Sequence, residues 1–151
     1  MTIHYSSSDL NACLQAKGET QEEGKSLSVQ EYIQMTTKLL EELIEAEGFE
    51  CQSMFNSQEE PPIRMEKYLQ RLYKYTHFSP QCLILALLYL DRYNMAQPEF
   101  ALNKLNVHRF FLTCLVLAVK YHDDIYFDNL TFEKVGGVTM AQLFTFELEL
   151  F

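Results

Sequence analysis

Apolar positions along this chain recur mainly at steps of three and four, the spacing of one helix face. Over residues 28–47 they are Val29, Tyr32, Ile33, Thr36, Leu40, Leu43 and Ile44. Ser28 and Glu31 ahead of them form a capping box, each side chain placed to bond the other's backbone N–H. Gly48 is a natural stop. Glu41, Glu42 and Glu45 fall on the outward side. A second helix is expected over 63–76, with Met65, Tyr68, Leu69, Leu72 and Tyr75 inward and Arg64, Lys67, Arg71 and Lys74 along the rest.

Two later stretches lose the periodicity because nearly every position is apolar. A helix is expected over 80–94, started by Ser79 and Pro80; its apolar run, Cys82–Leu90, ends in Asp91 and Arg92. Phe110–Val119 is interrupted only by Thr113. A helix that is greasy on all sides lies inside a core, so both are read as buried helices. The stretch 106–122 is read as the central one. Asn106 is placed to cap its start through its side-chain oxygen. Its apolar run stops at Lys120, a cation suited to the negative end of the helix dipole. Asp91 and Lys120 thus look alike: a charge where a buried helix ends.

The remaining stretches are connectors and one more helix. Residues 48–62 form a linker closed by Pro61 and Pro62, with Phe49, Met54 and Phe55 available to pin it to the body. Residues 94–105 are expected to be a loop. Phe132–Val135 is long enough for one helical turn, and Gly136-Gly137 permits a tight turn with positive φ. Thr139 and Gln142 make another capping box. The apolar residues after it run to Phe151 with no stop signal, and the last helix is expected to be cut short there. No alternating strand pattern appears. The expected class is all-α: a compact orthogonal bundle in which two helices are covered on every side.

Charge changes this picture at one end. The net charge is −9, and residues 1–60 account for all of it; residues 61–151 are neutral. Residues 1–27 are polar and poor in large aliphatics, so a disordered or loosely docked acidic arm is expected there. A neutral body without a basic stripe argues against nucleic acid and against an anionic membrane surface. The longest apolar run, 82–90, is too short to span a bilayer, and the first residues lack a signal-peptide pattern. Cys13, Cys51, Cys82 and Cys114 form no Cys-x-x-Cys pair, which points to reduced thiols and a cytoplasmic or nuclear protein.

Chemistry is sparse. His4, His77, His108 and His122 form no zinc-binding pair, and adjacent His122, Asp123 and Asp124 do not share a helix face. No phosphate loop, dinucleotide fingerprint or nucleophile elbow is present. Glu147 and Glu149 are too close in sequence to flank a scissile bond without a third element. No enzyme activity, cofactor, metal or small-molecule substrate is expected. From the residues alone, the chain reads as a helical binding module.

Three segments carry a family resemblance: LLYLDRY (87–93), LNVHRFFLTCLVLAVKYHDD (105–124) and YFDNLTFEKVGG (126–137). They resemble the cyclin box, and among cyclins the phosphate-pathway or P-type group. TMAQLFTFELELF (139–151) resembles the fifth helix of that box, and 28–47 the helix that precedes it. The resemblance covers 62–151. It implies a cyclin-like five-helix bundle with an additional N-terminal helix and a central third box helix. It also implies a regulatory subunit that binds a cyclin-dependent kinase at the kinase's mobile C-helix and activates it, in cell-cycle or phosphate and nutrient control. Lys120 and Glu147 fall on the family's kinase-contacting pair, projecting from adjacent helix ends. Asp91, with Arg92 beside it, falls on a position that fixes helix ends. Arg64 lies near the family's first-helix arginine but out of register with Asp91. The alternative is an all-α interaction scaffold that shares the fold without a kinase, since cyclin-like folds also occur in DNA-binding transcription factors.

Overall fold

The structure is a computed structural model, and it describes residues 26–47, 53–123 and 129–150. The expected N-terminal arm, Gly48, Phe49, Cys51 and Asp124 therefore fall outside the described residues, apart from 26 and 27 of the arm. Among the described residues there are six helices and no strand: α1 (Val29–Glu47), α2 (Met65–Thr76), α3 (Gln81–Ala96), α4 (Val107–His122), α5 (Asn129–Gly136) and α6 (Met140–Leu150). The all-α class holds.

Both capping boxes form. Ser28 Oγ accepts from the Glu31 N–H at 3.2 Å, and Glu31 Oε2 accepts from the Ser28 N–H at 2.8 Å. Thr139 and Gln142 repeat the exchange at the start of α6, at 3.1 and 3.0 Å. Each box satisfies two donors that a helix start leaves unpaired.

Asn106 does not cap α4 in the expected way. Its backbone is at φ −116, ψ −16, not in the extended region from which a cap side chain reaches forward. Its Oδ1 instead accepts from the Asn103 N–H, and its Nδ2 donates to the Ala101 carbonyl. Asn106 therefore closes the loop that leads into the helix.

α4 is the centre. Every residue from Phe110 to Val119 is buried. α3 lies along it, and α5 and α6 pack on its other sides. α1 rests on α2 and α3, and α2 rests on α5. Five helices from α2 onward surround or include α4, with α1 added outside them. The 28–47 helix thus docks on the rest of the chain itself.

α3 is less enclosed than its sequence implies. Cys82, Leu83, Ala86, Leu87, Leu90 and Asp91 are buried, but Ile84, Leu85, Leu88 and Tyr89 are only half-buried. Its main neighbours among the described helices are α4 and α1, and no other described helix covers its remaining face to a similar extent. The helix also continues past Asp91 and Arg92 to Ala96. The physical reason is Tyr93, whose ring packs on Phe55, Phe100 and Phe110 at centroid distances of 5.1–6.1 Å. Asp91 and Arg92 are consequently inside the helix, not at its end.

In α2 the inward stripe ends on buried Thr76, while Tyr75 is exposed. The helix stops at His77, which takes a left-handed conformation at φ 48. α5 is two turns long, more than the single turn expected. Gly137 turns the chain at φ 74. Gly136 is needed for a different reason: a Cβ there would lie 2.6 Å from Leu112 Cδ2. The Tyr68 hydroxyl donates to the Gly136 carbonyl at 2.7 Å, fastening α5 to α2.

One residue of the connector belongs to the core. Phe55 is fully buried and stacks against Tyr93, Phe100, Phe110 and Phe146. Met54 beside it is exposed. Cys82 and Cys114 are buried free thiols. Burial, with Asp123 nearby, pushes the Cys82 thiol up to about 12, and burial raises Cys114 as well. Neither is a nucleophile near neutral pH.

Candidate functional site

Lys120 sits in the last turn of α4, where four terminal carbonyls lack helical partners and the dipole is negative. Its Nζ lies 2.6 Å from Glu147 Oε1 on α6. The lysine side chain is 28% exposed and the glutamate side chain 10%, so the cation is the more accessible partner. The capping box at Thr139 sets the phase of α6. That phase turns Leu143, Phe146 and Glu147 inward. It leaves Met140, Phe144 and Leu148, at steps of four, exposed on one stripe.

The ion pair is set in this apolar surface. A groove of about 300 Å³ is lined by Leu117, Lys120, Tyr121, Phe144, Glu147 and Leu148. Tyr121, Phe144 and Leu148 are each about 60% exposed. Leu117 and Tyr121 also line a second groove of about 480 Å³ with Tyr89, Arg92, Tyr93 and Glu149. There the Tyr93 hydroxyl donates to Glu149 Oε1 at 3.2 Å. The two grooves form one concave surface along the α4–α6 edge, with a charged pair in its wall. Such a surface can take an apolar helix face and offer a cation to its exposed backbone carbonyls. Tyr121, Phe144 and Leu148 were not singled out from sequence. The signal was present: with Thr139 as the cap, four-residue spacing separates 140, 144 and 148 from the inward set.

The other sequence candidates lie apart. Asp91 is buried on the inner side of α3. Arg92, the next residue, faces out into the second groove. Arg64 is exposed just before α2, in a groove with Glu41, Glu60 and Lys104, and does not meet Asp91. Asp123 accepts from the Ser79 N–H at 3.0 Å, tying the end of α4 to the start of α3. His122 is exposed. Among the described residues no group of three or more His, Cys, Asp or Glu is placed to hold a metal ion. No helix of the described residues is long and apolar enough to cross a membrane.

His108 lies at the opposite end of α4. Its Nε2 is 2.7 Å from the Ile63 carbonyl, an acceptor, so Nε2 carries the proton and Nδ1 is left as a buried lone pair without a partner. The ring stands edge-on to Tyr68. Burial lowers its pKa, and the Arg71 charge adds to that; the Ile63 carbonyl and Glu60 oppose it.

The family model described as Cyclin matches residues 9–151. Cyclin-P3-1 of Oryza sativa subsp. japonica is 31% identical over 147 residues, covering 97% of this chain and 62% of its own length. Cyclin-U4-1 of Arabidopsis thaliana is 38% identical over 97 residues, covering 64% of this chain and 48% of its own. Cyclin-U1-1 of Arabidopsis thaliana is 42% identical over 96 residues, covering 64% and 46%. The chain spans about half to three-fifths of the length of these relatives.

Proposed function

The chain belongs to the cyclin family, whose members are regulatory subunits and not enzymes, and on that premise we propose that it binds and activates a cyclin-dependent protein kinase. Residues 62–151 are the cyclin box in this reading, and 28–61 an additional helix and connector. The observation that carries the proposal is the Lys120–Glu147 pair set in the exposed surface of Tyr121, Phe144 and Leu148. The partner's mobile C-helix lays an apolar face along the α4–α6 edge. Lys120 then reaches that helix's unpaired terminal carbonyls, and Glu147 holds the lysine extended toward them. Fixing the C-helix sets the kinase's own Lys–Glu pair, so the catalytic step resides wholly in the partner. The setting is cytoplasmic or nuclear, in cell-cycle or phosphate and nutrient control.

The test is a pull-down from native lysate with purified protein, scored by protein-kinase activity in the bound fraction. Lys120→Ala removes one member of a partly buried charge pair, and loss of such a group from an interface costs roughly 2–5 kcal/mol of binding. We expect kinase activity with the wild type and near-complete loss with Lys120→Ala, while the helical circular dichroism is unchanged. Equal recovery by both discards the site and keeps the function. No kinase with either chain transfers the protein to the scaffold reading.

A further inference from the structure

α2 carries a row of bases, of which Arg64 at its start shares a groove with Glu41 and Glu60. Arg64, just ahead of the helix, and Lys67, Arg71 and Lys74 recur at steps of three and four and share one face. Arg64, Lys67 and Lys74 are exposed, and Arg71 is half-buried. The opposite face carries Met65, Leu69 and Leu72 into the core. On one flank α2 is clipped to α1: Gln30 Nε2 donates to Glu66 Oε1, and Gln70 Nε2 donates to Gln30 Oε1. The only acid of α2, Glu66, is thereby turned toward α1 and away from the row. The other flank meets α5, whose Lys134 is exposed and adds a further base. Among the described residues none of the four bases meets a carboxylate.

Arg71 is the informative member. Its guanidinium carbon lies 5.5 Å from the centre of the Tyr68 ring, which orients the side chain along the surface. Its Nε is buried and has no hydrogen-bond acceptor. That atom is out of solvent and beyond an incoming anion's reach, so the half-buried side chain would meet one through its terminal guanidinium nitrogens. Beside it, Lys74 Nζ stands 5.4 Å from the centre of the Tyr75 ring, and that ring is half exposed. The row thus offers a guanidinium fork, flexible ammonium groups and an apolar ring.

We propose that this row is a docking site for a short acidic peptide segment of a partner protein. Ten helical rises from Arg64 to Lys74 make a row about 15 Å long, the length of roughly five residues of extended chain. Nucleic acid fits less well. A duplex would run beyond the row toward α1, where Glu41 and Glu42 are exposed, on a chain of net charge −9. The main neighbours of α2 are α1 and α5, so the row stands apart from the α4–α6 edge and does not rest on the kinase reading.

The experiment is fluorescence anisotropy of the full chain with three labelled peptides: five glutamates, five glutamines, and one phosphoserine among glutamines. The glutamate peptide should bind, more weakly as salt rises, and the glutamine peptide should not. Tighter binding of the phosphoserine peptide assigns the occupant's charge to phosphorylation; tighter binding of the glutamate peptide assigns it to carboxylates. The exposed double change Lys67→Glu with Lys74→Glu should weaken binding by roughly ten-fold, the scale of two reversed surface charges. Arg71→Lys keeps the charge but loses the fork, and should weaken it too. Lys38→Glu, on the exposed side of α1, should leave it unchanged. The proposal fails if no peptide binds, if the glutamine peptide binds as well, or if Lys38→Glu weakens binding as much as the double change. It also fails if a short DNA duplex binds more tightly than the acidic peptides. Unchanged circular dichroism of the double variant separates loss of docking from loss of fold.

Discussion

α3 and α4 are nearly the same in sequence character and quite different in position. Both contain long runs in which almost every residue is apolar, and both runs end in a charge. α4 is enclosed by α3, α5 and α6, and ten consecutive residues are buried. α3 is backed by α4 and α1 and keeps a half-open face through Ile84 and Leu88. An apolar run fixes that a helix belongs to the interior. How many neighbours it acquires is decided by elements elsewhere in the chain. The charges diverge accordingly: Asp91 is buried within α3, whereas Lys120 emerges from the last turn of α4 and finds Glu147.

The same substitution on the two helices probes this difference most directly. Leu115→Ala, at a fully buried site in α4, should cost about 4 kcal/mol by chemical denaturation, because the enclosing helices cannot collapse into the cavity. Leu88→Ala on the open face of α3 should cost only about 1 kcal/mol, the loss of a partly buried side chain. Equal costs would show that the two helices are equally enclosed. A smaller effect tests how closely α5 is pressed onto α4. Gly136→Ala brings a Cβ to 2.6 Å from Leu112 Cδ2 and 3.2 Å from Cδ1. The leucine has to move within a packed core, and a loss of about 1–2 kcal/mol is expected in thermal melts. At Gly137 a Cβ meets nothing within 4 Å, so any cost of Gly137→Ala arises from its positive φ alone.

The smallest effect is confined to the N-terminal end of α4 and appears only with pH. His108 has its pKa lowered in the fold, chiefly by burial. The unfolded chain therefore binds more protons below the ordinary histidine value, near 6.5. Stability falls as pH drops below that value, toward the lowered folded pKa. Denaturant midpoints at pH 7.5 and 5.5 should differ more for the wild type than for His108→Gln. An unchanged difference would assign the acid sensitivity to other groups.

Much of this fold was legible from residue spacing. The boxes Ser28/Glu31 and Thr139/Gln142 were readable because each involves only residues three apart. Asn106 has the same cap chemistry but was recruited by Asn103 and Ala101, through a loop whose turn the local pattern does not encode. Thr76 is buried and Tyr75 exposed because Thr76 lies four residues after Leu72 and seven after Leu69, in the middle of the buried stripe, while Tyr75 falls at its edge. At the candidate site, the resemblance brought Lys120 and Glu147 together and the fold joins them at 2.6 Å. Phe144 and Leu148 were readable from the four-residue spacing that Thr139 sets; the exposure of Tyr121 depends on the packing of α6 against α4, which hydropathy does not show.

Phe55 has a consequence for how the molecule comes apart. It belongs to the stretch between α1 and α2, yet its ring touches aromatic side chains that precede α4 and others from α3, α4 and α6. Phe55 is a keystone: α3, α4 and α6 cannot part without opening the aromatic cluster it fills. Those three helices should accordingly melt as one cooperative unit, with amide exchange in α6 governed by the same opening event as exchange in α4.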